Sequence, residues 1–144
     1  MANLVLDVSY EDDFMIYGIV AAVRDYKLAW GINNCLNLDL KRGEEVNLYE
    51  GQKNKKCICS CYCHETELYD FTLIQNKSMD FFQVSKPYLL PELKEYDYFL
   101  KFGGQSDIYT KEYVRKKLSN VLVITYIKEI DLDKIKEKEN LLII

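Results

Sequence analysis

The stretch Leu90-Pro91-Glu92-Leu93-Lys94-Glu95-Tyr96-Asp97-Tyr98-Phe99-Leu100-Lys101-Phe102-Gly103-Gly104 reads as one helical turn feeding a strand. Pro91 suits the first helical position, where its missing N–H has no intrahelical partner to lose. Glu92 follows in the first turn, where the positive end of the peptide dipoles favours a carboxylate. From Tyr96 the period becomes two. Tyr96, Tyr98, Leu100 and Phe102 fall on one face, and Asp97, Phe99 and Lys101 on the other. Gly103-Gly104 ends the strand, since glycine turns where residues with side chains resist. Pro91, Glu92, Asp97 and Tyr98 are read as a structural motif, in which the two carboxylates satisfy backbone donors and fix the turn-to-strand corner. The alternative is a catalytic pair at Glu92 and Asp97.

Toward the N-terminus, Leu4 to Val8 reads as a short strand. Asp12 or Asp13 is then placed to cap a buried helix over Phe14 to Val23, which is apolar nearly all round. Asp25 caps a second helix, with Leu28, Ile32, Cys35 and Leu36 at helical spacing and Tyr26 and Trp30 four apart on a neighbouring face. The two helices are expected to form a hairpin over one side of a sheet. A polar, glycine-punctuated region follows, with a short strand at Asn47-Leu48-Tyr49. Cys57 to His64 and Leu68 to Gln75 read as two strands of a meander, and Phe81 to Val84 as a further extended piece.

Beyond the opening stretch, Ser106 or Asp107 caps a helix running to about Leu118. Val121 to Ile130 is the most strand-like run in the chain. Strand, helix, strand in that order predicts a crossover with parallel or near-neighbour strands. Asp131 to about Glu139 reads as a short charged helix, and Leu141-Leu142-Ile143-Ile144 closes the chain. The sum is a single α+β domain over residues 1–144, with a mainly antiparallel sheet of about five or six strands and helices packed on one face.

The segment LPELKEYDY at 90–98 resembles the signature of the IPExxxVDY family, small uncharacterised proteins of Bacteroidota. Leu90 stands for the isoleucine and Tyr96 for the valine. The family carries no established activity, so the resemblance implies a shared structural unit and no chemistry.

Composition narrows the classes. Hydrophobic residues at 49% and charged residues at 29% describe a globular protein rather than a disordered one. A net charge of −4 gives no global attraction to nucleic acid or anionic membrane. No run approaches the ~20 apolar residues that a membrane helix needs, and the N-terminus lacks the pattern of a signal peptide. Five cysteines without an export signal point to free thiols in a reducing cytoplasm.

Cys57, Cys59, Cys61 and Cys63, with His64 adjacent, offer ligand types for zinc. On one strand the four sulfurs would share a face at successive spacings of roughly 6.5–7 Å, which one tetrahedral ion cannot gather. The expectation is core packing, with no metal and no cofactor. His64 is the only histidine, and a strand would point it away from Cys63.

Lys53, Lys55 and Lys56 form one basic cluster. Lys111, Arg115, Lys116 and Lys117 form another, with Tyr109 and Tyr113 near it. Solvated surface is the expected role of both, and an RNA contact is the alternative. Leu141, Leu142, Ile143 and Ile144 either dock on their own domain or meet a partner. The reading is a non-enzymatic cytoplasmic interaction or adaptor protein that binds a protein partner or a second copy of itself, without membrane. RNA association through the lysine clusters and an enzyme site near Glu92 and Asp97 are the alternatives.

Overall fold

The computed structural model describes residues 14–50, 54–79, 88–104 and 106–135, and for 48–50 and 54–57 it describes the backbone. The expected strand at Leu4 to Val8, the extended piece at Phe81 to Val84, Lys53 and the C-terminal Leu141 to Ile144 lie outside these residues.

Eight strands and two helices are present among them: β1 (Phe14–Val20), α1 (Asp25–Leu36), β2 (Lys41–Arg42), β3 (Val46–Glu50), β4 (Asn54–Cys59), β5 (Cys61–Glu65), β6 (Tyr69–Gln75), β7 (Tyr98–Gly104), α2 (Lys111–Leu118) and β8 (Tyr126–Glu129). Six strands form one sheet in the order β2-β5-β6-β7-β1-β8, and β3 and β4 form a separate ribbon. Every pairing is antiparallel. The chain is an α+β fold, as the sequence predicts.

Tyr17 and Ile19 of β1, Phe71 and Leu73 of β6, and Tyr98, Leu100 and Phe102 of β7 pack against Leu28, Ile32 and Leu36 of α1 and Val114 and Leu118 of α2. Both helices therefore cover one face of the sheet. On the opposite face Ile16, Ile74 and Phe99 pack with Leu89, Leu90, Tyr96, Cys59, Ile130 and Ile135. This two-sided burial explains the main departure from the sequence reading. Phe14 to Val20 is a strand and not a helix: lying between β7 and β8, it is apolar on both faces because both faces are covered.

The cysteine-rich run also differs. It is two strands broken at Ser60, which is buried and turns the chain from the ribbon into the main sheet. Its hydroxyl lies 3.1 Å from Gln75 Oε1, and its carbonyl accepts from the Gln75 amide at 3.0 Å. The β5–β6 meander itself is as expected. Thr66 closes its turn, accepting at Oγ1 from the amides of Leu68 and Tyr69.

The crossover is confirmed in outline, since β7 and β8 both run antiparallel to β1 and so parallel to each other. Its details shift. Helix α2 starts later, capped by Thr110, whose Oγ1 accepts from the Tyr113 amide. Ser106 instead closes a turn ahead of it, accepting from Ile108 and Tyr109. Only Tyr126–Glu129 of the expected Val121 to Ile130 strand pairs, because Val121 is used to plug the helix-side core and its amide closes the end of α2 on Leu118. Of the expected charged helix from Asp131 to about Glu139, the described residues reach Ile135 and contain one 3₁₀ turn at Leu132–Lys134. Asp25 is the first residue of α1 rather than its cap, and Arg24 occupies the cap position.

Candidate functional site

The corner that opens the signature stretch is built around a residue that the sequence did not single out. Pro91–Leu93 forms one 3₁₀ turn, with Pro91 at its start. Asn76, fully buried at the end of β6, donates from Nδ2 to the carbonyls of Leu93 (3.0 Å) and Tyr96 (2.9 Å). Its Oδ1 accepts from the Leu90 amide at 2.9 Å. An amide carries both functions on one planar group, so a single side chain satisfies the Leu90 N–H and the Tyr96 C=O and gives the Leu93 C=O a second donor beside the Tyr96 amide.

Asp97 completes the corner. Its Oδ2 accepts from the Ala21 amide at 2.9 Å, and its own N–H donates to the Ile19 carbonyl. Tyr98, buried on the helix side, donates its hydroxyl to the Val23 carbonyl, and burial raises its pKa. Glu92 is exposed on the turn. Tyr96 departs from the expected period. It precedes the strand and packs beside Phe99 on the face away from the helices, over Gly18, where an added Cβ would lie 2.7 Å from the ring. Asp97 lines an open depression of about 460 Å³ with Arg24, Lys77 and Tyr98, and neither His64 nor Glu92 reaches it.

The cysteine strand places Cys61 and Cys63 on the face away from the helices, in register with Ile74 and Thr72. Cys61 is buried and Cys63 is partly exposed. Their sulfurs are 3.4 Å apart, far closer than strand rise alone gives, because the two side chains lean toward each other along β5. Either sulfur can donate across this contact; with the more deeply buried Cys61 as donor, its S–H holds the Cys63 thiol down at about 7, against the opposing effect of burial, and the Thr72 hydroxyl adds a second donor. The same bond, together with burial, pushes the Cys61 thiol up.

The register continues as a row across the sheet: Lys41, Cys63, Thr72, Lys101, Ile16. Lys101 sits 4.4 Å above the Phe14 ring, its pKa lowered by desolvation and partly restored by Asp70. Cys59 is buried in the core, as expected for a packing cysteine. His64 points to the helix side, where its Nδ1 accepts from the Asp39 amide at 3.1 Å and its ring stacks on Tyr69. Among the described residues, no group of three or more His, Cys, Asp or Glu is placed to hold a metal ion.

The chain matches no protein-family model, curated protein or solved structure.

The second basic cluster lies on exposed turns of α2. Lys111 pairs with Glu129 at 2.9 Å, and Lys117 lies over the Tyr113 ring. Lys111, Arg115 and Lys116 line a depression of about 640 Å³ that also contains Glu112 and Glu129. Tyr109, expected near this cluster, turns inward instead. Its hydroxyl donates to the Leu36 carbonyl at 2.7 Å and its ring packs against Tyr69 and Phe71.

On α1 the core face is filled by Leu28, Ala29, Ile32 and Leu36, which leaves Tyr26 and Trp30 pointing out, 54% and 70% exposed. Gly31 abuts Val121, so the loop that carries Leu122, 98% exposed, runs beside the same helix.

Proposed function

We propose that this chain is a non-enzymatic cytoplasmic interaction or adaptor protein of the IPExxxVDY type, and that α1 supplies the surface that holds its protein partner. One observation carries the reading: Tyr26 and Trp30 stand one turn apart on a helix whose core face is complete without them. Covering an exposed Trp ring is worth roughly 2–3 kcal/mol by apolar area. Trp and Tyr are the side chains that most often concentrate binding energy at protein interfaces. Leu122 is a further exposed apolar side chain, on the loop whose Val121 lies beside Gly31 of α1. Leu141 to Ile144 is a second contact in this proposal, to the partner or to a second copy.

The surroundings of the other candidates weigh the same way. Acidic Glu112 and Glu129 stand among the α2 cations, which disfavours a phosphate backbone. Asp97 serves the Ala21 amide. No buried side-chain nitrogen or oxygen among the described residues lacks a hydrogen-bond partner.

The test is affinity capture with the tagged chain and with its Tyr26→Ser/Trp30→Ser variant. A protein retained in stoichiometric amount at high salt by the wild type, and lost from a variant whose circular dichroism is unchanged, is the expected result. Nucleic acid that washes off with salt, or a partner held equally by both chains, would overturn the assignment.

A further inference from the structure

Cys61 and Cys63 are two thiols in contact on a strand that is hydrogen-bonded along both edges, to β2 and to β6. Alternate residues of a strand hold their Cβ atoms about 6.5–7 Å apart, whereas a disulfide needs roughly 3.5–4.5 Å. Closing an S–S bond here would buckle both ladders. A tetrahedral ion is equally ill served. It asks for four donors, His64 lies on the opposite face, and no third His, Cys, Asp or Glu of the described residues joins the pair.

A linear two-coordinate ion makes neither demand. With metal–sulfur bonds of roughly 2.3 Å it holds two sulfurs about 4.5 Å apart. Small χ1 rotations reach that separation from the present 3.4 Å while the backbone of β5 stays in register. Two-thiolate ligation is the preference of soft monovalent ions, Cu(I) above all.

We propose that Cys61 and Cys63 form a two-thiolate clamp for a soft monovalent cation of the Cu(I) class. Binding puts two S–Cu bonds on the sulfurs and releases whatever protons the two thiols still carry, two at most, leaving one net negative charge on the pair. The row around Cys63 suits that charge. Lys101 lies two strands away on the same face, and Lys41 is its direct cross-strand neighbour, though paired with Asp39 at 3.3 Å. Glu65 and Asp70, one row further, act in the opposite sense. Cys63 is the partly exposed member, so an ion enters from its side and Cys61 closes behind it.

The experiment is an anaerobic titration of the reduced full chain with Cu(I) held by a coloured chelator. One Cu(I) per chain is expected to leave the chelator, and iodoacetamide applied afterwards is expected to label Cys35 but spare Cys61 and Cys63. Cys63→Ser should weaken retention by more than about a hundredfold, beyond what loss of a supporting residue costs, and Cys35→Ser should not. No withdrawal by the wild type, or withdrawal indifferent to Cys63→Ser, would overturn the site. The labelling pattern is read on the wild-type chain and so stays decisive if a variant is poorly folded. Cu(I) that protects other cysteines and leaves Cys61 and Cys63 labelled also refutes it.

Discussion

The carboxylate of Asp97 accepts a hydrogen bond from the backbone amide of Ala21 at 2.9 Å, across 76 residues of sequence. The Asp97 amide donates to the Ile19 carbonyl, and its carbonyl accepts from the Asn76 amide. One residue thus ties the exit of β1 to the end of β6 and to the start of β7. Asp97→Ala leaves the Ala21 amide without its acceptor and is expected to cost about 1–2 kcal/mol. Asp97→Asn keeps an acceptor oxygen in place and should recover most of that loss. Urea denaturation of the three proteins separates the cases. Equal losses in both variants would mean that charge matters here, not acceptance.

Asn76 predicts a larger effect. Asn76→Ala strips the side-chain partner from the Tyr96 carbonyl and the Leu90 amide and one of two donors from the Leu93 carbonyl, all around one corner. The expected loss is about 3–5 kcal/mol, at the severe end for a single substitution. Asn76→Asp should not rescue it, because a carboxylate sets oxygens against the two carbonyls that the amide now serves. A urea midpoint for Asn76→Asp close to that of the wild type would contradict the assigned geometry.

Tyr96 packs over Gly18, and Gly18 makes the room. An alanine methyl at Gly18 would lie 2.7 Å from Tyr96 Cδ1 and 2.9 Å from two further ring atoms. The ring is buried, with Phe99 and Tyr126 beside it. Gly18→Ala is therefore expected to destabilise by about 1–3 kcal/mol through overpacking. Gly43→Ala, whose methyl would meet Cys63 Sγ at an ordinary 3.4 Å, should change stability little. Gly18→Ala/Tyr96→Val should be more stable than the sum of its single changes predicts. An additive double-mutant cycle would show that the two sites do not share the space.

The mainly antiparallel sheet with helices on one face was legible because alternation and turn chemistry are local signals; the hairpin of two helices expected over Phe14 to Leu36 was not, because its first half is strand β1. Phe14 to Val20 was not, since a strand apolar on both faces carries no period, and only its place between β7 and β8 decides its class. Ser60 broke an apparently continuous strand because its hydroxyl and carbonyl are taken by Gln75, which lies fifteen residues on. Asn76 gave no sign beyond an amide after an alternating run, and its importance exists only once Leu90, Leu93 and Tyr96 are folded around it. The Cys61–Cys63 alternation was visible, but the 3.4 Å contact was not, because it depends on rotamers and not on spacing.

Cys63 gives the clearest dependence on pH. Its thiol is held at about 7 by the Cys61 S–H and the Thr72 hydroxyl, while burial and the carboxylates of Glu65 and Asp70 push the other way. A free thiol titrates near about 8.5. The thiolate is the reactive form, so alkylation of Cys63 in the metal-free chain should accelerate between about pH 6 and 8. A larger share of Cys63 is then reactive at neutral pH than the roughly 3% of an ordinary thiol. Thr72→Val removes one donor and Cys61→Ala removes the stronger one, and each should move the midpoint upward, Cys61→Ala further. Iodoacetamide rates read by mass spectrometry on the peptide carrying Cys63 supply the profile. A wild-type midpoint at or above about 8.5 would overturn the assignment of Cys61 as the donor and Cys63 as the thiolate.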